Sequence, residues 1–111
     1  MILDRERNTV ANGRREVRFS PTQFVLLMAL TQSAGKRLSV PQLIHAGWGH
    51  DPRGGPDCAE LSIRTHIHAI RRKLRSVASP ARIENVWGQG YVFIPAKNVN
   101  RVATDLVLGS G

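Results

Sequence analysis

The sequence predicts an α+β domain in which three helices lie between short N-terminal strands and a C-terminal β-hairpin. Polar and apolar residues alternate in short runs before residue 20, which is typical of strands. Three later segments begin with Ser or Asp followed three residues on by Gln or Glu, a pattern typical of helix N-termini. After residue 80, two β-rich runs flank a pair of glycines. We expect one domain over residues 1–96 and an irregular tail over residues 97–111.

The composition indicates a folded protein with an anionic partner. The 111 residues suffice for one domain with one modest core, and 41% of them are hydrophobic. The formal net charge is +8, and most of the positive residues are arginines, whose planar guanidinium suits phosphates and guanine edges. Nucleic acid is therefore the first partner to consider, and an anionic membrane surface is the second.

The composition also disfavours several classes of protein. A single cysteine cannot form an internal disulfide or a four-cysteine zinc site. No apolar run approaches the ~20 residues that span a membrane, and the N-terminus lacks the apolar core of a signal peptide. There are no paired carboxylates at a useful spacing, no Gly-x-Ser-x-Gly and no phosphate loop. We therefore expect a cytoplasmic protein that is not an enzyme and needs no cofactor.

The first 19 residues are expected to be extended. Asn12-Gly13 is a typical hairpin turn between Thr9-Val10 and the alternating residues 16–19. Because these strands are short and polar, we expect a strand pair that packs on the helices and does not fold alone.

Two helices with the same start signal follow the strands. The cap and its partner are Ser20 and Gln23 in the first helix, and Ser39 and Gln42 in the second. Pro21 suits the first helical position, and Gly35 is expected to end the first helix. The second helix is expected to end within residues 47–49, before a loop rich in glycine and proline over residues 49–56.

The third helix, predicted over residues 57–77, is the element on which the function depends. Asp57 is its expected cap, with Glu60 three residues later. At about 100° per residue, one narrow apolar stripe is formed by Ile63, Ile67, Ile70, Leu74 and Val77. The opposite face carries Leu61, Arg64, Thr65, His68, Arg71, Arg72 and Arg75. Cys58, near the start of the helix, is either a redox-sensitive thiol or an inert residue of the turn.

The outward face of this helix has the layout of a helix that lies in a DNA major groove. Short polar side chains near its N-terminal end can meet base edges, and its arginines can reach phosphates. We assign base contacts to Leu61 (on a thymine methyl), Arg64, Thr65 and His68. We assign phosphate contacts to Ser62, Arg71, Arg72 and Arg75. The alternative is a surface helix whose charged face is only solvated, but Glu60 is the only acid near that face.

The end of the domain is predicted to be a β-hairpin. Residues 83–87 and residues 91–95 are rich in β-branched and aromatic residues, and Gly88-Gln89-Gly90 separates them. Trp87, at the base of the turn, either packs under the third helix or lies on a DNA backbone. Trp48, in the second helix, is expected to belong to the core.

Five motifs occur along the chain in a defined order and spacing. They are Ser20-Pro21-Thr22-Gln23-Phe24 with Leu26-Leu27, Gly35 with Leu38-Ser39 and Leu43, Trp48-Gly49, His66-Ile67 with Ile70-Arg71-Arg72-Lys73-Leu74, and Val86-Trp87-Gly88-Gln89-Gly90-Tyr91. Together they resemble the winged helix-turn-helix effector domain of OmpR/PhoB-type response regulators, over roughly residues 8–96. The resemblance implies that the third helix enters the major groove. It also implies that the hairpin, called the wing in this family, reaches the flanking minor groove with Trp87, Gly88, Gln89 and Gly90.

The chain departs from the family pattern where that pattern would contact DNA. Leu61 and Ala69 stand where the family usually has arginines, and Arg64 stands where it often has aspartate. Trp87 replaces an arginine of the wing. Three basic positions, Arg71, Arg72 and Lys73, match the family. We expect Arg64 to supply the guanine contact that Ala69 cannot make.

The resemblance also bears on the protein around the domain. In this family the effector domain follows a receiver domain with a phosphorylated aspartate, whereas this sequence starts almost directly with the effector strands. We expect a free-standing regulator, because the tail is irregular and the strand pair is shorter than the sheet of the family. The family often binds tandem DNA repeats as head-to-tail pairs, which implies a homodimer or tandem binding here.

Metal binding is the main rival chemistry. His66 and His68 lie on different sides of a helix and cannot share an ion. The loop residues His50, Asp51 and Asp57 could hold a metal, but we expect no metal site and predict that His66 is a partly buried structural histidine.

We therefore predict a transcription regulator, of bacterial or phage origin, that binds double-stranded DNA sequence-specifically. We expect it to be associated with the nucleoid. The alternative is a winged-helix module whose basic face binds an acidic partner such as RNA polymerase or another regulator. The arginines missing at positions 61, 69 and 87 support that alternative. Binding of a basic amphipathic helix to an anionic membrane is a weaker hypothesis, because the isoleucine stripe is needed for the core.

Overall fold

The computed structural model describes residues 1–49, residue 51 and residues 54–95. In this part of the chain, six strands and three helices follow one another as β1 (Ile2–Asp4), β2 (Thr9–Asn12), β3 (Arg15–Arg18), α1 (Pro21–Gln32), β4 (Arg37–Leu38), α2 (Val40–Trp48), α3 (Ala59–Ser76), β5 (Arg82–Val86) and β6 (Gly90–Ile94). The predicted order of strands, three helices and hairpin is confirmed. The predicted tail, residues 97–111, lies outside the described residues, so the boundary at residue 96 stays a prediction.

The N-terminal strands form an antiparallel sheet in the order β1-β2-β3, so the expected strand pair is in fact a sheet of three strands. The predicted turn at Asn12-Gly13 joins β2 to β3, with Val10 opposite Val17. The turn before β2 is made by the Asp4 carboxylate, which accepts backbone N–H bonds from Glu6 and Arg7 at 3.0 and 3.3 Å.

Helices α1 and α2 begin at the capping boxes that the sequence predicts. The Ser20 hydroxyl accepts the Gln23 N–H at 3.1 Å, and the Ser20 N–H donates to Gln23 Oε1 at 3.0 Å. Ser39 and Gln42 make the same reciprocal pair at 3.2 and 2.7 Å. Each box satisfies two N–H groups that a helix start would otherwise leave unpaired, which fixes where the helix begins.

The cap of helix α3 lies one residue later than predicted, and the assignment of Asp57 as this cap is wrong. Cys58 occupies the cap position without a side-chain hydrogen bond, so the Asp57 carboxylate precedes the helix and does not cap it. The apolar stripe is confirmed, because Ile63, Ile67, Ile70, Leu74 and Val77 are all buried. At the other end, Asn12 Nδ2 donates to the carbonyls of Val77 and Ala78 at 2.8 and 3.2 Å, which ties α3 to β2.

The C-terminal hairpin is part of a second antiparallel sheet in the order β4-β6-β5. Strand β4, which the sequence did not predict, is only two residues long and pairs Leu38 with Tyr91. Strands β5 and β6 and the turn at residues 87–89 are called the wing from here on.

The core lies between the helices and the two sheets. Its largest fully buried side chains are Phe19, Leu26, Leu27, Leu30, Leu43, Ile63, Ile67, Ile70, Val10 and Val77. Among the described residues, no helix has the length and apolar character needed to cross a bilayer.

Candidate nucleic-acid interface

Burial of its apolar stripe turns the opposite side of α3 outward. The exposed residues on that side are Leu61, Arg64, Thr65, His68, Arg72 and Arg75, and Leu61 keeps 57% of its surface accessible. Ser62 and Arg71 are half-buried. No other described part of the chain covers this side, so the surface on which the sequence predicts base contacts is available to a partner.

Three arginines of this side are free to bind. Within the described part of the chain, the guanidinium groups of Arg64, Arg72 and Arg75 have no hydrogen-bond or ion-pair partner. Thr65 is partly committed, since its hydroxyl donates to the Leu61 carbonyl at 2.9 Å, one turn earlier. The Thr65 oxygen therefore remains as an acceptor, while the guanidinium groups keep all their donors.

Arg71 differs from its neighbours because its guanidinium is held by β5. Its Nε and Nη2 donate to the Ile83 carbonyl at 2.9 and 2.6 Å, and Nη2 also donates to Asn85 Oδ1 at 2.8 Å. Lys73 is held on the other side of the helix. Its Nζ donates to Gln23 Oε1 at 2.7 Å and lies 5.2 Å from the centre of the Phe19 ring.

His66 is the structural histidine that the sequence predicts. It is half-buried, its Nδ1 lies 2.8 Å from the Ser62 carbonyl oxygen, and its ring meets Trp48 edge to face at 5.5 Å. The prediction that Trp48 packs against the core is also confirmed, since it lies against the buried cluster. Together these rings join α2 to α3, which keeps the two helices of the helix-turn-helix in place.

The tip of the wing is exposed, and contacts with Arg37 and with strand β4 hold it in place. Trp87 is 92% exposed, so it does not pack under α3. The Gln89 N–H donates to the Val86 carbonyl at 2.8 Å, and Arg37 Nη1 donates to the Gln89 carbonyl at 3.0 Å. Gly90 lies against β4, where its φ of +135° and its close approach to the Leu38 carbonyl leave no room for a side chain.

A groove separates the wing from the N-terminal half of α3. It has a volume of about 570 Å³. Its walls are the start of α2 (Ser39, Val40 and Pro41), Glu60 and Arg64 of α3, and the wing from Asn85 to Tyr91. Arg64 and the wing tip therefore face one space, and a single extended ligand can contact both.

Sequence reasoning missed the residues that hold the wing in place. No local sequence pattern marks Arg37 or Asn85. Arg37 acts through a contact with Gln89, 52 residues later, and Asn85 through a contact with Arg71, 14 residues earlier.

The alternative metal site was His50, Asp51 and Asp57, and His50 lies outside the described residues. In the described ranges, no three side chains of His, Cys, Asp or Glu are grouped to hold an ion.

One family model and several curated proteins match most of this chain. A family model described as "Transcriptional regulatory protein, C terminal" matches residues 14–93. The phosphate regulon transcriptional regulatory protein PhoB of Rhizobium meliloti (strain 1021) is 38% identical over 89 residues, which cover 80% of this chain and 37% of that protein. The chain spans about two fifths of the length of the curated relatives it matches.

Solved structures share the fold. The DNA-binding domain of E. coli CadC is similar with a TM-score of 0.70 and 22% identity, over 83% of each chain. The Klebsiella pneumoniae RstA DNA-binding domain, solved in complex with the RstA box, is similar with a TM-score of 0.64 and 26% identity, over 85% of this chain and 90% of that one. The predicted α+β winged helix-turn-helix fold is confirmed.

Proposed function

The chain belongs to the family of C-terminal domains of transcriptional regulatory proteins, of OmpR/PhoB type, and from that premise we propose that it binds double-stranded DNA sequence-specifically. In this proposal α3 lies in the major groove and the wing tip lies at the flanking minor groove. The protein regulates transcription in the bacterial cytoplasm, on the nucleoid, and has no enzymatic role.

The observation that carries the proposal is the outward cationic side of α3 beside the groove, where the guanidinium groups of Arg64, Arg72 and Arg75 have no partner among the described residues. Leu61, Arg64, Thr65 and His68 lie towards the N-terminal half of α3 and would contact base edges, with Leu61 on a thymine methyl. Ser62, Arg72 and Arg75 would contact phosphates. Arg71, which was also expected to do so, has its guanidinium engaged by Ile83 and Asn85 of β5. A duplex strand that runs along this side would pass through the groove between Arg64 and Gln89.

The experiment that tests the proposal is selection of bound duplexes from a random library, followed by titrations at several salt concentrations. Arg72→Ala should weaken binding to all sequences alike and lower the magnitude of the log K against log salt slope by about 0.9. Arg64→Ala should instead flatten the preference at one base pair, because a good base contact contributes about 1–3 kcal/mol of discrimination.

Wild-type protein on scrambled duplex is the control for both variants. If the two variants behave identically on selected and scrambled DNA, the assignment of base and phosphate contacts is wrong. If the selection recovers repeated half-sites, two copies bind in tandem on DNA.

A second candidate function is a protein-interaction module that binds an acidic surface, for example on RNA polymerase. It is favoured by two large apolar side chains on the same side as the cations, since Leu61 is 57% and Trp87 is 92% exposed. A gel shift on random duplex at ~50 mM salt separates the two functions, because counterion release gives a DNA-binding protein measurable affinity there. A module that binds only a protein partner would leave the duplex unshifted.

A further inference from the structure

We propose that Arg71 is a positioning residue that fixes the wing relative to α3, so that both elements meet one duplex together. This inference rests on the proposed function. Its basis is the fork of hydrogen bonds from the Arg71 guanidinium to the Ile83 carbonyl and the Asn85 side chain, at 2.6 to 2.9 Å.

Arg71 reaches β5 on the side that has no neighbouring strand. The sheet order is β4-β6-β5, so β5 is an edge strand whose outward carbonyls have no strand partner. The planar guanidinium supplies two donors to Ile83 at once, which a lysine could not do with the same geometry. The contact therefore joins the recognition helix to the free edge of the wing.

The second acceptor, Asn85, lies next to the turn of the wing. Asn85 pairs with Tyr91, and Val86 pairs with Gly90 immediately before the turn. Holding Asn85 therefore limits the movement of the wing tip towards or away from Arg64 across the groove. Two recognition elements fixed in one relative position lose less conformational freedom on binding than two that move independently.

Three consecutive basic residues thus have three different surroundings. Arg71 is bound to the wing, and Lys73 is bound to the capping box of α1 through Gln23. Arg72 is exposed, and its guanidinium has no partner in the part of the chain that the structure describes. Replacement of each by methionine removes the charge and keeps most of the aliphatic stem. These three variants therefore form a matched series for the experiment.

The first measurement is the salt dependence of affinity for the selected duplex. Arg72→Met should change the slope by about 0.9, as expected for one phosphate contact. Arg71→Met should weaken binding roughly tenfold, equivalent to about 1.4 kcal/mol. The salt slope of Arg71→Met should change by less than half of the change seen in Arg72→Met. Arg71→Lys should restore little of this affinity, because it restores the charge and not the fork.

The second measurement is a double-mutant cycle with the wing tip. The variant Trp87→Ala/Gln89→Ala should lose less affinity in the Arg71→Met background than in the wild type, because the wing is already displaced. The inference is overturned if Arg71→Met changes the slope as much as Arg72→Met and the wing-tip loss is the same in both backgrounds. Asn85→Ala, which removes one acceptor and no charge, should reproduce the Arg71→Met effect to a smaller degree.

Amide hydrogen exchange without DNA separates failure of this inference from failure of the proposed function. Arg71→Met should accelerate exchange in β5 and β6, and Lys73→Met, the control for loss of a partly buried hydrogen bond elsewhere, should not. If the wild-type protein binds no duplex, the proposed function fails whatever the exchange shows. If it binds duplex and exchange in the wing is unchanged in Arg71→Met, only the positioning role fails.

Discussion

Replacement of Gly90 by alanine should displace the wing, and replacement of Gly88, two residues away, should not. Both glycines have positive φ, +69° at Gly88 and +135° at Gly90. A methyl group on Gly88 would meet no described atom within 4 Å. A methyl group on Gly90 would overlap the Leu38 carbonyl oxygen and lie 2.8 Å from Ser39 Cα, in backbone that cannot rotate away.

The two substitutions should differ by about 2–3 kcal/mol in the free energy of unfolding. For Gly88→Ala the cost is that of a left-handed alanine, about 1–2 kcal/mol. For Gly90→Ala the backbone strain is about 1–3 kcal/mol. To this is added the loss of the short β4–β6 pairing, in which each hydrogen bond contributes about 0.5–1.5 kcal/mol. We expect a total of about 3–5 kcal/mol, a large part of the stability of a domain of this size.

The assay is urea unfolding followed by circular dichroism, with affinity for the selected duplex measured below the transition. Gly88→Ala should lower the unfolding midpoint only modestly and bind DNA like the wild type, whereas Gly90→Ala should have a clearly lower midpoint and weaker binding. If Gly90→Ala is as stable as Gly88→Ala, then β6 does not pass this close to Leu38, and β4 does not hold the wing in place.

Two further substitutions test the core and the caps by the same unfolding assay. Ile67→Ala removes a fully buried side chain from the stripe of α3 and should cost about 2–5 kcal/mol; an effect below that range would mean that α3 is not anchored as described. Ser39→Ala removes the half-buried cap of α2 and should cost about 1 kcal/mol. Pro41→Ala, two residues later and exposed, serves as a control with a smaller change.

Local signals in the sequence predicted the helices well. A capping box involves residues only three apart, so Ser20 with Gln23 and Ser39 with Gln42 could be identified without knowledge of the fold. The stripe of α3 could be predicted because a helix repeats its faces regardless of what packs on it. At Asp57 the same local logic failed, because a suitable residue pair does not determine at which residue the chain enters the helix.

The missed features depend on contacts between distant segments. Strand β4 has two residues and exists because β6 pairs with it, 53 residues later at Leu38 and Tyr91. The helical pattern correctly placed Arg71 on the outward, cationic side of α3. It could not show that the Arg71 guanidinium turns towards β5, because the partner there is distant in sequence. Charge patterns in a sequence locate a basic surface, and only the fold shows which of its charges are already paired.

The two tryptophans have different surroundings, so their intrinsic fluorescence can report on two parts of the protein separately. Indole emission shifts with solvent polarity and is quenched by nearby side chains, so two indoles in different surroundings give separable signals. Trp87 projects into water from the wing, whereas Trp48 lies against the imidazole of His66 inside the helical layer. With Trp48 replaced by phenylalanine, the remaining emission follows ligand arrival at the wing without any attached dye. With Trp87 replaced instead, it follows the packing of α2 on α3 during unfolding.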